Sequence, residues 1–139
     1  MNKEIPRFCT VRSLLIMILL AGCGRESTGP SPNDKTRTEY LWLNETIALA
    51  PGRDTTFSRY LITHDTLHIT IGLLNQYAIS TLYVKNGVDS VLFQEEQVES
   101  DHFYVHIPAS DTHALFLQQH GELSQFQLYA RIIRWEYRP

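Results

Sequence analysis

The chain has 139 residues, of which 43% are hydrophobic and 11% aromatic, with 12 Lys and Arg against 15 Asp and Glu. One domain is the natural count at this length. The formal net charge of −3 describes a poor nucleic-acid binder, since phosphate contacts need a basic face.

The chain opens on a short apolar run, Leu14 to Ala21, preceded by Lys3, Arg7 and Arg12 with only Glu4 opposing them. The run falls far short of the roughly 20 residues a helix needs to cross a bilayer. A basic start, a short apolar middle and small residues at the end describe a secretory signal over residues 1–22. Leu20-Ala21-Gly22-Cys23 resembles the lipobox of bacterial lipoprotein precursors. That resemblance implies a lipid on the Cys23 thiol, cleavage just before Cys23, and anchoring to the cell envelope. Gly24 stands where an aspartate would resemble an inner-membrane retention signal, so the resemblance implies the outer membrane. Each buried methylene contributes about 0.8 kcal/mol, and several acyl chains anchor firmly.

Removing residues 1–22 leaves 9 Lys and Arg against 14 Asp and Glu, a net charge near −5. Cys9 leaves with the signal and Cys23 carries lipid, so no disulfide is expected in the exported domain. A domain of this size does not depend on one, because stapling becomes necessary mainly below about 70–80 residues.

Residues 23–38 comprise the lipidated cysteine and "GRESTGPSPNDKTRT", which has no large apolar side chain. Such a segment cannot bury a core and reads as a disordered tether. From residue 39 to 139 the pattern changes to short β-branched and apolar runs separated by turn residues. In "TLHITIGL", Leu67, Ile69, Ile71 and Leu73 share one face, and His68, Thr70 and Gly72 the other. In "DHFYVHIP", Phe103, Val105 and Ile107 oppose His102, Tyr104 and His106. In "FQLYARIIRW", Phe126, Leu128, Ala130 and Ile132 fall together. Period two over such lengths marks half-buried strands. Ala50-Pro51-Gly52, Asn86-Gly87, Pro108 to Asp111 and His120-Gly121 separate the runs. Asn-Gly is a tight-turn signal because both residues tolerate positive φ. The expectation is an all-β domain: a single antiparallel β-sandwich, jelly-roll-like or related, with about eight strands near 39–49, 56–63, 66–74, 78–85, 89–95, 101–107, 112–119 and 125–137.

The segment "LYVKNG", Leu82 to Gly87, and the closing strands with Phe126, Leu128 and Tyr129 are similar to the pre-peptidase C-terminal domain of secreted bacterial proteins. The similarity spans roughly residues 45–133. It implies a small β-sandwich acting as a non-catalytic accessory or binding module. The acidic pattern that precedes the "LYVK" strand in that family is replaced here by Ala78, Ile79, Ser80 and Thr81, so no ligand site is carried over.

His102, Tyr104 and His106 would line one strand face at intervals of about 6.5–7 Å. The two histidines are too far apart to chelate one ion, since zinc–nitrogen distances run near 2.0–2.1 Å; a third ligand such as His113 would have to join one of them. The polar–aromatic face is therefore read as a surface rather than a metal site, and no cofactor is expected. His64 and His68 have the spacing that faces two ligands on a helix, but Asp65-Thr66 reads as a turn and no metalloprotease glutamate lies between them. "QEEQVESD", residues 94–101, lacks the ordered oxygens and glycine of a calcium loop. No Gly-x-Ser-x-Gly or phosphate-cradling loop occurs. Ser110-Asp111-Thr112-His113 has triad residue types in a turn-like stretch, and a triad is a matter of geometry. The C-terminal "RIIRWEYRP" brings Arg131, Arg134 and Arg138 beside Trp135 and Tyr137, residue types that stack on one another and dominate interface hot spots.

The sequence thus points to a lipid-anchored, non-enzymatic binding or accessory lipoprotein that contacts an envelope protein or a glycan and no nucleic acid. The expected binding face is His102, Tyr104, His106, Trp135 and Tyr137. The alternatives are an inhibitor or assembly factor that grips one protein through loops, and a hydrolase with a site assembled from scattered residues.

Overall fold

The computed structural model describes residues 34–137. The expected signal segment, Cys23 and residues 24–33 lie outside them. Eight strands follow one another: β1 (Lys35–Leu49), β2 (Arg53–Leu61), β3 (Thr66–Leu73), β4 (Ile79–Lys85), β5 (Val91–Val98), β6 (Asp101–His106), β7 (Asp111–Gln119) and β8 (Ser124–Tyr137). They form two antiparallel four-stranded sheets, one in the order β1-β8-β3-β6 and the other β2-β7-β4-β5. Every connection except the β4–β5 hairpin passes from one sheet to the other. This is the winding of a jelly roll, so the expected sandwich is the observed one.

The alternation read from the sequence places the core. Leu67, Ile69 and Ile71 of β3 and Phe126, Leu128 and Ala130 of β8 are buried, and face Leu82 and Val84 of β4 and Leu115 and Leu117 of β7. These four strands occupy the middle of their sheets, which is why they carry most of the fully buried side chains, each Leu, Ile, Val or Phe contributing about 1.5–3 kcal/mol.

Three strands depart from their expected bounds by more than one residue: β1 starts at Lys35 rather than 39, β2 runs Arg53–Leu61 rather than 56–63, and β5 runs Val91–Val98 rather than 89–95. Lys35–Thr38, read as the end of the tether, is strand: these residues pair with Tyr137 to Arg134 of β8. Polar composition hid a strand whose outward residues, Lys35 and Arg37, lie opposite the exposed Tyr137 and Trp135 of β8. In the 86–90 loop, positive φ falls on Asp89 at 63° rather than on the Asn-Gly pair. Gly87 is closely approached by another group. A Cβ there would sit 2.5 Å from an Asp111 carboxylate oxygen, the group that accepts the Gly87 N–H at 3.0 Å.

β1 also contains a bulge. Leu41 pairs with Arg131 and Leu43 with Ala130, so Trp42 is an extra residue. A bulge shifts the inward phase by one. Tyr40 and Trp42 therefore pack on the core from one phase and Leu43, Ile47 and Leu49 from the other.

The β2–β3 turn carries the chain between sheets. Asp65 is fully buried. Its Oδ1 accepts from Arg134 Nε and its Oδ2 from Arg134 Nη2, both at 2.8 Å. Oδ2 also accepts the Ile62 N–H at 3.0 Å. Ile107 N–H donates to the Asp65 carbonyl and His64 N–H to the Ile107 carbonyl, each at 2.9 Å. His64 sits at φ 72°, a left-handed conformation uncommon outside glycine, held by these bonds. Arg134 retains partial solvent access whereas Asp65 has none. Removing the cation strands a carboxylate that cannot rehydrate. We therefore expect Arg134→Met to destabilise the fold by about 3 kcal/mol or more in urea titration. The double variant Asp65→Ala/Arg134→Met should recover part of that loss, and a strictly additive pair would show that the interaction is not coupled.

Candidate functional site

The outer face of the β1-β8-β3-β6 sheet collects the residues singled out in the sequence. His102, Tyr104 and His106 stand on β6, opposite Thr70, His68 and Thr66 of β3. Those residues in turn face Tyr129, Arg131 and Ile133 of β8. Trp135 and Tyr137 continue the same parity along β8, opposite Arg37 and Lys35. All five expected residues thus share one side of one sheet. They divide into two groups along it.

The first group surrounds His68, which is not among the five expected residues. Arg131 Nε donates to His68 Nδ1 at 2.8 Å, so the neutral imidazole carries its proton on Nε2. The His68 ring stacks on Tyr104 with centroids 4.3 Å apart and planes 3° from parallel. His102 meets both rings edge-on at 6.0 Å. Behind Arg131, Glu39 Oε2 accepts from Nη1 at 2.6 Å, and Glu39 Oε1 pairs with Arg37 Nη2 at 2.6 Å. The result is a chain of contacts across the sheet, from Arg37 on one edge strand to Tyr104 and His102 on the other.

The second group lies where β8 outruns β3. Ile133 pairs with Thr66, the first residue of β3. Beyond it, β8 has β1 on one side and the 62–65 turn on the other. The gap is a cleft of about 660 Å³ bounded by that turn, Thr66, His106, Lys35 and residues 134–137. His64 and His106 face each other across it with ring centroids 5.9 Å apart. Lys35 Nζ lies 4.9 Å from the centre of the Tyr137 ring. The Arg134 guanidinium lies 5.2 Å from the centre of Tyr40, whose hydroxyl donates to Glu136 Oε1 at 2.9 Å. Arg134 therefore stacks across strands on Tyr40; Arg138 lies outside the described residues.

Three titrating groups are displaced. Burial pushes the His68 pKa below its ordinary 6.5, and the Arg131 charge adds to the effect. The Glu136 carboxylate raises the Tyr40 pKa by accepting a hydrogen bond from its hydroxyl, and the hydrogen bond to Asp65 raises that of Arg134.

His113 does not join this face. It lies on β7 of the other sheet, buried, with Nδ1 at 2.9 Å from the Asp111 carbonyl oxygen, so it cannot supply the third ligand considered for His102 or His106. Ser110 Oγ accepts the Thr63 N–H at 2.8 Å and Asp111 serves Gly87; the Ser-Asp-His types nearby form no triad. Among the described residues no group of three or more His, Cys, Asp or Glu is placed to hold a metal.

No family model matches this sequence, and no curated protein does. Solved structures match at the level of strand arrangement. One is PliG of Aeromonas hydrophila, a periplasmic lysozyme inhibitor of g-type lysozyme: 15% identity, 76% of this chain and 93% of that one, TM-score 0.46. Another is the xylan-binding module CBM86 from Roseburia intestinalis: 7% identity, 73% of this chain and 96% of that one, TM-score 0.47. A third comes from the pili of Bacillus endospore appendages: 9% identity, 82% and 100% coverage, TM-score 0.48. At these values no residue role passes from them to this chain.

The lowered His68 pKa gives stability a pH dependence. The unfolded chain binds a proton near pH 6.5 that the folded chain refuses until lower pH, so this contribution is full above 6.5 and is lost as pH falls through the folded pKa. Protonation would also remove the acceptor for Arg131. Denaturation midpoints measured at pH 8 and in steps down through 5 should fall more steeply for the native chain than for His68→Asn. Equal slopes would show that His68 does not titrate this way.

Proposed function

We propose that this chain is a lipid-anchored envelope lipoprotein that acts as a non-enzymatic binding module for an envelope protein or a glycan, using the outer face of the β1-β8-β3-β6 sheet and its cleft. The observation that carries the reading is the exposure of Tyr104, Trp135 and Tyr137, at 57%, 55% and 62%, on one side of one sheet. Their backbone is fixed by strand pairing and Tyr104 is held by His68. Rigid aromatic side chains bind with little loss of entropy, and Trp, Tyr and Arg dominate hot spots. Export and anchoring rest on the lipobox, Leu20 to Cys23.

The first test uses the full chain, purified in detergent and immobilised, to capture material from the source envelope. Trp135→Ala and Tyr104→Ala should each weaken capture by about 2 kcal/mol, roughly thirty-fold, with unchanged unfolding midpoints. Capture that is indifferent to both would move the binding surface elsewhere. Cys23→Ala should abolish labelling by a fatty-acid analogue and block removal of residues 1–22. Labelling that persists in Cys23→Ala, or leader removal that is indifferent to it, would refute the anchor.

A second reading, an inhibitor or assembly factor that grips one protein through loops, is favoured by the other end of the sandwich. Leu74, Tyr77 and Leu123 are exposed there. Their loops are pinned: Asn75 Nδ2 donates to the Leu123 carbonyl at 2.8 Å, and Ser124 Oγ to the Tyr77 carbonyl at 2.7 Å. In the same capture assay, Leu74→Ala and Leu123→Ala separate this end from the aromatic face.

A further inference from the structure

We propose that the cleft beside β8 takes an uncharged oligosaccharide; the proposal rests on the binding-module reading and names its ligand. The charges come first. Arg134 is committed to Asp65, and Glu136 accepts from Tyr40. With Lys35, the lining holds two cations and two carboxylates, so an ionic ligand meets no net opposite charge. A charged group moved out of water into such a site would lose hydration without a compensating partner.

The rings come second. Trp135 and Tyr137 project from alternate residues of β8, about 6.5–7 Å apart along the strand, and both are mostly exposed. A pyranose ring is apolar on its C–H faces and polar at its edges. It can lie on an aromatic ring and hydrogen-bond at the rim, which matches the amphipathic character of these side chains. The rim is the third feature. His64 and His106 stand 5.9 Å apart, and imidazole nitrogens can hydrogen-bond sugar hydroxyls. The cleft volume, about 660 Å³, falls in the range of small-ligand sites, roughly 300–1,000 Å³. An extended peptide added as a strand on β8 fits less well, because the 62–65 turn bonded to Arg134 stands where that strand would run.

The experiment is isothermal titration of the full chain, in a detergent without a sugar headgroup, against neutral chito-, xylo- and cello-oligosaccharides and against oligogalacturonate, at low and high salt. The expected result is binding of a neutral oligosaccharide with an affinity unchanged by salt, weakened at least ten-fold by Trp135→Ala and by Tyr137→Ala. His106→Ala should weaken it several-fold. Tyr60→Ala, exposed on the other sheet, should have no effect. Binding of oligogalacturonate alone, salt-sensitive binding, or neutral binding indifferent to Trp135→Ala would each overturn the proposal. If no oligosaccharide binds while Trp135-dependent capture of an envelope protein persists, the ligand class is wrong and the binding-module reading stands. Failure of both assays removes both.

Discussion

The buried Asp65–Arg134 pair is the constraint on which the rest of this molecule depends. Asp65 ends the turn that carries the chain from the second sheet into the first, and its carboxylate binds the end of β8 and the turn's own backbone at once. A buried ion pair contributes little net stability by its presence, since desolvation offsets attraction, yet losing one partner is severe. What the pair supplies is position. It sets the 62–65 turn beside the overhanging end of β8 and so defines the cleft. It also orients Arg134 toward Tyr40, leaving Trp135 and Tyr137 to the outer face. The same contact cancels two of the cleft's four charges, and Lys35 and Glu136 balance each other in number.

The outer face repeats this logic at lower burial. Arg131 lies between Glu39 and His68, and its guanidinium is satisfied on both sides. Because Nε must donate, His68 must accept, and an accepting imidazole is a neutral one. A neutral His68 can stack flat on Tyr104, so a charge two strands away fixes the attitude of an exposed ring. Holding Tyr104 beforehand removes an entropic term from any binding event.

Much of the fold was legible because a sandwich strand obeys a period of two, and the middle strands obey it strictly. Leu67, Ile69 and Ile71 and Phe126, Leu128 and Ala130 were sufficient to orient the first sheet. Legibility failed where the period is broken or where a contact is non-local. The bulge at Trp42 changes the inward phase in mid-strand, and only pairing with β8 reveals it. Lys35–Thr38 is strand because β8 runs alongside, not because of its own composition. The five expected face residues do lie on one face, since parity along β6 and β8 is local information; that β3 inserts His68 between them is not. Gln119 illustrates the limit. A nearly buried amide whose Oε1 accepts from Ser80 N–H and Oγ and whose Nε2 donates to the carbonyls of Ala78 and Glu122 looks, in sequence, like any surface glutamine on a strand.

The two candidate surfaces place different demands on an anchored domain. Lys35, where β1 begins, lines the cleft, whereas Leu74, Tyr77 and Leu123 lie past the ends of β3 and β7, at the opposite pole. If Cys23 is the anchor, as proposed, the 12 residues from Cys23 to Lys35 span at most about 40 Å. The cleft end then cannot stray farther than that from the membrane, while the loop end can project a sandwich length beyond it. Ligand at the cleft would therefore be met close to the surface that carries the lipid, where tethering raises local concentration most. A partner gripped by the loops could approach from farther away. An anchored chain that binds only through its cleft should thus lose function when the tether is lengthened, because effective concentration falls with linker length, whereas loop-mediated capture of a diffusing partner should be indifferent to it.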